Sequence, residues 1–227
     1  MVATAAGEQP YVPKLVWCSE DFQEAEIDSH RVSITQLRSA IELLCSDAKV
    51  LMEEELLNGL DCCVLDSKIQ GGGFKDDMLK SSCGYDFTKD PRNELSVHNK
   101  DLLSYLLRSP RAGRRYCTSG DSGINWIHGN MDKWMSSAAK FNEKLAVLIH
   151  LTSGQPARGE EMKSYLISNT PTTMRSLYYV QNTVMILQSY HKVRTVSRTD
   201  RLIARFLPEC VAALLLRYLT LVGPVEQ

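Results

Sequence analysis

The chain has 227 residues, 44% of them hydrophobic and 23% charged, with a formal net charge of −1. That is an ordinary balance for a soluble globular protein, with enough chain for one large domain or two small ones and an ample core. No 18-residue apolar run occurs, so no membrane span is expected. Met1-Val2-Ala3-Thr4-Ala5-Ala6-Gly7 also lacks the basic start and apolar stretch of a secretory signal. The seven cysteines are scattered and odd in number, which with no signal points to reduced thiols inside the cell. Buried free thiols are the expected state. A zinc site drawn from Cys62, Cys63, Cys83 and His98 is the competing reading, and no cofactor or metal is expected.

The first half reads mostly as helix. Ser33-x-x-Gln36 resembles a capping box, and beyond it Ile34, Leu37, Ile41, Leu44, Ala48 and Leu51 recur at three- and four-residue steps. Asn58-Gly59 supplies a stop. Glu53-Glu54-Glu55 reads as a solvated face. Gly71-Gly72-Gly73 lacks the Gly-Lys-Ser/Thr ending of a phosphate loop and is expected to be a flexible loop. Leu102, Leu103, Leu106 and Leu107 mark a second helix, closed before Pro110. Arg108, Arg111, Arg114 and Arg115 then form a basic cluster in a Gly- and Ser-containing loop; solvation is its default role, contact with a DNA backbone the alternative. Gly120-Asp121-Ser122-Gly123 has the letters of a chymotrypsin-like nucleophile loop, but with helical flanks expected, the match reads as chance.

From Met131 a helix is expected through Trp134, Ala138, Phe141, Leu145 and Leu148 to about Leu151, broken by Thr152-Ser153-Gly154 and Pro156. A new helical stretch begins near Ala157 with Glu160 and Glu161 in its first turn, where acids favour the helix dipole. Leu177–Val180 and Thr183–Leu187 are β-branched and aromatic, with Gln181-Asn182 between them, and predict a hairpin whose edge Leu202–Phe206 could extend. Pro208 opens a final apolar helix through Val211, Leu214, Leu215, Tyr218 and Leu221 to Gly223. The expected class is therefore mainly α with a small antiparallel hairpin or three-stranded sheet (α+β), divided into a helical region 1–125 and a second domain 126–227.

Charge is uneven along the chain. Residues 1–139 hold 15 Lys+Arg against 21 Asp+Glu, and residues 140–227 hold 11 against 6. Between 163 and 205, Lys163, Arg175, Lys192, Arg194, Arg198, Arg201 and Arg205 face only Asp200. A basic segment in a near-neutral protein suits local phosphate contact, and a solvated arginine-rich hairpin is the alternative.

The residues from about Phe141 to Val222 carry a resemblance. Leu151-Thr152-Ser153-Gly154-Gln155-Pro156-Ala157-Arg158-Gly159-Glu160-Glu161, Ser189-Tyr190-His191-Lys192 and Arg205-Phe206-Leu207-Pro208 resemble a region of large fungal proteins. Those proteins often carry a RecQ-type helicase domain, the telomere-linked helicases among them. The region is similar to the first half of a tyrosine recombinase catalytic domain. No helicase motif accompanies it here.

The resemblance implies a truncated recombinase-like half-domain. Arg158 would match the first catalytic arginine, whose planar fork binds two phosphate oxygens. Glu161 would match the carboxylate that orients it, and Lys192 the hairpin lysine that protonates the departing 5′-oxygen. An ordinary helix-surface pair of Arg158 and Glu161 is the competing reading. His191-Lys192-Val193-Arg194 has the letters of the family's second box, His-x-x-Arg, but stands where the hairpin lysine belongs. That second box and the nucleophilic tyrosine find no place downstream, and Tyr218 sits on an apolar helix. The site is thus expected to be vestigial or incomplete and inactive alone. Lys163, Arg175, Arg194, Arg198, Arg201 and Arg205 are the expected DNA-backbone contacts. The implied protein is a DNA-associated, catalytically incomplete member of the group from a mobile or subtelomeric element, intracellular and nuclear. The alternative is a helical interaction module without DNA binding, meeting a protein partner or a second copy through its C-terminal helix.

Overall fold

Helix and short antiparallel sheet alternate along the chain in the computed structural model, which describes residues 15–27, 30–120, 123–190 and 201–226. Helix accounts for 55% and strand for 16%, the strands lying in small antiparallel sheets. The fold class is therefore mainly α, α+β, as the two periodicities predict. The chain divides into one unit of residues 1–43 and another of residues 44–227. The boundary expected near residue 125 falls inside the second.

In the first unit, β1 (Leu15–Trp17), β2 (Glu24–Ile27) and β3 (His30–Ser33) form a meander in which Leu15 pairs with Ile27 and Glu24 with Ser33. The Ser19 hydroxyl accepts the Gln23 and Glu24 N–H groups, each at 3.0 Å, and closes the first turn. Trp17 and Phe22 meet edge to face at 5.4 Å. This sheet is absent from the sequence reading because strands of three and four residues are too short to display an alternation. Helix α1 (Ile34–Val50) follows, its Gln36 N–H held at 3.3 Å by the Ser33 hydroxyl.

The second unit is built around α5 (His128–Thr152), whose Trp134, Ala138, Phe141, Leu145 and Leu148 form one buried stripe at helical spacing. The end of α1 runs into a π-helical turn, Leu51–Leu56, that buries Met52 and Leu56, and the Trp134 indole N–H donates to the Leu56 carbonyl at 3.1 Å. Near the C-terminus, α7 (Glu209–Arg217) continues into a π-helical turn, Tyr218–Val222, and a last short helix α8 (Gly223–Glu226). Phe141 stacks on Tyr218 at 5.4 Å with their planes 16° apart. Arg217 clamps Asp66 of α2 (Cys63–Gly71) with two bonds of 2.6 Å. The apolar residues of α7 and its extension point inward: Val211, Leu214, Leu215, Leu221 and Val222 are all buried. A helix apolar on most of its faces is a core helix, so the surface expected of it for a protein partner or a second copy is spent inside the fold.

The main sheet has the order β6 (Leu177–Val180), β7 (Thr183–Tyr190), β8 (Arg201–Phe206), all antiparallel. Gln181 and Asn182 both take positive φ, 50° and 62°, the two-residue turn that matches strand twist. Asn182 is held there by the Gly73 N–H, which donates to its Oδ1 at 3.1 Å. Gly72, at φ +62°, passes so close that a Cβ would stand 2.9 Å from the Tyr179 hydroxyl. Gly71 thus ends α2, and Gly72 and Gly73 form a backbone strap over the hairpin turn, where the sequence suggested a flexible loop.

Two further expectations change. The arginine cluster lies not in a loop but on two helices, Arg108 at the end of α3 (Asp101–Arg108) and the other three on α4 (Pro110–Tyr116), which folds back on α3. Ser109 and Pro110 explain this: the serine hydroxyl caps the Ala112 N–H at 3.2 Å and proline occupies the first helical position. Gly113 permits the fold-back, since a Cβ would meet the Leu106 carbonyl at 2.9 Å. The flanks of Gly120-Asp121-Ser122-Gly123 are strands, β4 (Cys117–Gly120) and β5 (Gly123–Trp126), paired from Cys117↔Trp126 to Gly120↔Gly123. Asp121 and Ser122 lie outside the described residues.

Candidate functional site: a cleft rimmed by Arg158

Helix α5 ends where Thr152 and Ser153 turn their hydroxyls back onto the Leu148 and Ile149 carbonyls at 2.7 and 2.6 Å. Gly154 takes φ +96° and reverses the chain. The segment then anchors on buried Ala157 and presents Arg158 as the residue before α6 (Gly159–Lys163). Glu161 Oε2 accepts the Arg158 backbone N–H at 3.1 Å. The three-residue spacing read from the sequence is therefore the reciprocal half of a capping box, and it fixes the backbone from which the Arg158 side chain springs.

The carboxylate of Glu161 has a second partner. Arg205 of β8, 2% exposed, brings its Nη2 within 3.5 Å of Glu161 Oε2, donates from Nε to the Gln155 carbonyl at 2.9 Å, and from Nη1 to Gln188 Oε1 at 3.2 Å. Gln188 in turn donates to the Glu161 carbonyl at 3.2 Å and the Ser164 hydroxyl at 3.3 Å. One guanidinium thus ties together the loop before Arg158, helix α6 and the sheet. The sequence offers Arg205 as a DNA contact rather than as this brace, and Gln188 does not stand out in it at all. The signal that could have found them is a polar side chain interrupting an apolar strand, as each does.

Arg158, Glu161, Ser164, Thr173, Gln188 and Leu202 line an open cleft of about 950 Å³. Arg158 is exposed on its rim. Leu187 and Gln188 of β7 and Leu202 of β8 bring the sheet into the lining, and the two strands are paired as far as Tyr190↔Arg201.

The other expected site residues fall as follows. Lys163 is exposed and paired with Glu160 at 2.9 Å. Arg201 opens β8. Lys192, Arg194 and Arg198 lie outside the described residues. Arg175 is buried, 2.5 Å from Asp76, with its guanidinium 4.7 Å from the Tyr85 ring and 4.4 Å from the Tyr178 ring. It also donates to the Leu177 and Asp77 carbonyls at 3.0 and 3.1 Å. Burial pushes the Asp76 carboxyl above its ordinary range against the pull of the Tyr179 N–H and Arg175. Arg175 and Arg205 are thus taken from the expected set of DNA contacts, because both guanidinium groups are enclosed by their own chain.

Tyr218 is buried in the core. Burial, followed by its hydrogen bond to Glu226, pushes its phenol up to about 12, while the Asn142 amide, donating at 2.5 Å, works the other way. A phenol so placed is a poor nucleophile. Burial, with Asp66 adding to it, raises the Cys62 thiol to about 11. Among the described residues no three His, Cys, Asp or Glu side chains converge as metal ligands, and no helix is long and apolar enough to cross a membrane. No family model matches the chain, and no solved structure matches it.

Proposed function

We propose that this chain is a DNA-associated protein, similar to the tyrosine recombinases, that holds a backbone phosphate in the cleft rimmed by Arg158 and binds DNA without cutting it. One observation carries the reading: an exposed arginine, set by a capping carboxylate, shares an open cleft with the strands that lead into the segment of Lys192. A guanidinium offers parallel N–H donors to two phosphate oxygens. Glu161 and Arg205 set the approach of Arg158 rather than touching the ligand. The buried Tyr218 phenol supports binding over attack.

Binding of a duplex oligonucleotide across a salt series tests this. Non-specific contact of this size predicts a dissociation constant of about micromolar or poorer at physiological salt. Arg158→Ala should lower the log–log salt slope by about 0.9, the equivalent of one released phosphate contact. An unchanged slope, or no binding by the wild-type protein at low salt, overturns the reading.

A further inference from the structure

Four arginines stand on the short α3–α4 corner: Arg108 in the last turn of α3, and Arg111, Arg114 and Arg115 on α4. The last three are spaced i, i+3, i+4 and so share one helical face, neighbours about 5–6 Å apart. All four are exposed, and no carboxylate pairs with any of them among the described residues. Four like charges gathered with no carboxylate partner among the described residues repel one another, an arrangement that a polyanion relieves.

The surface is ordered rather than loose. Arg115 donates to Asn58 Oδ1 at 3.3 Å and lies 5.5 Å from the Tyr116 ring centroid. The Tyr116 hydroxyl reaches the same Asn58 oxygen at 3.1 Å. The Asn130 amide donates to the Arg115 carbonyl at 2.6 Å, which fixes the first turn of the 25-residue helix α5 beside the cluster. Ile127, the residue before α5, offers no side-chain cap, so the positive end of that helix, worth roughly half an elementary charge, adds to the same field. Lys133, exposed on the next turn, is partly offset by exposed Asp132.

We infer that the arginine face of α4, with the start of α5, is a second surface for a nucleic-acid phosphate backbone, separate from the Arg158 cleft. Between them runs α5, 25 residues and about 37 Å long at 1.5 Å per residue. Side chains so far apart contribute independently, and their variants add. This extends the proposed function but does not depend on the cleft.

The test is the salt dependence of duplex binding by the full chain for Arg111→Gln/Arg114→Gln, for Arg158→Ala and for the triple variant, with thermal melts as a check on folding. The expected result is a slope lowered by about 1.8 in the double variant, two contacts at about 0.9 each, additive with Arg158→Ala. A charge-reversing pair, Arg111→Glu/Arg114→Glu, should weaken binding further. An unchanged slope in both double variants, at wild-type melting temperature, overturns the inference and leaves the cleft standing. Binding that depends on α4 but not on Arg158 upholds the inference and removes the cleft. Retention on anionic vesicles with no duplex binding at low salt overturns it as well.

Discussion

Replacing Arg205 by methionine separates architecture from charge at the cleft. Methionine keeps much of the aliphatic volume and deletes every donor. Two acceptors then lose their partner: the Gln155 carbonyl and Gln188 Oε1, bonded now at 2.9 and 3.2 Å. An acceptor left unsatisfied costs about 1–3 kcal/mol where it is shielded, as at half-buried Gln188, while losing the bond at exposed Gln155 costs about 0.5–1.5 kcal/mol. The pair with Glu161 is longer, at 3.5 Å, and the Glu161 side chain is 19% exposed, so its loss adds about 1 kcal/mol or less. The sum is about 1.5–5.5 kcal/mol, which for a chain of this size lowers the melting temperature by roughly 3–22 °C. Urea or thermal unfolding measures it. Arg205→Lys should recover part of the loss, since one ammonium can reach one acceptor but not three. A loss below about 1 kcal/mol for Arg205→Met would refute the claim that this guanidinium braces the Arg158 loop. So would equal stability of the lysine and methionine variants.

Two other outcomes follow from the same geometry. Asp90 accepts bonds from the Arg92 N–H, Nε and Nη2 at 3.0, 2.9 and 2.7 Å and from the Tyr85 hydroxyl at 3.1 Å, and these partners, Arg92 first, hold its carboxyl well below the usual range. A depressed folded-state value stabilises the protein above the unfolded pKa, about 3.9, and that stabilisation fades as pH falls below it. Asp90→Asn should therefore flatten the acid limb of the stability–pH curve, and an unaltered limb would contradict the assignment. With nicked or suicide duplex substrates no tyrosyl adduct should accumulate, and Tyr218→Phe should leave DNA binding unchanged; an adduct mapped to Tyr218 by peptide mass would refute the binding-only reading.

Much of this protein was legible before folding. The stripe Trp134, Ala138, Phe141, Leu145 and Leu148 declared α5, Pro208 and the apolar run after it declared α7, and β-branched residues about Gln181-Asn182 declared the hairpin. The Arg158–Glu161 spacing was legible as a pairing of the two residues, though not as the capping bond from the Arg158 backbone N–H that the fold forms. Such signals are local: periodicity and caps act over a few residues and survive without knowledge of the rest of the fold.

What the sequence could not determine was which arginines face water. Arg175, Arg205 and Lys163 look alike in a basic segment, yet two are enclosed and one is exposed. Their fates depend on partners far away in the chain: Asp76 and Tyr85 for Arg175, Gln155 and Glu161 for Arg205. The arginines of α4, read locally as a solvated loop, share one helical face, and Arg115 is held there by Asn58 and Asn130 from distant parts of the chain. Sequence by itself determined the long helices and the Gln181-Asn182 hairpin, since those preferences are set by near neighbours, while the short elements β1 to β5 and α4 emerged only in the fold. Tertiary structure alone decided which charges are exposed, because burial is a property of what packs over a side chain, and those atoms come from distant parts of the chain.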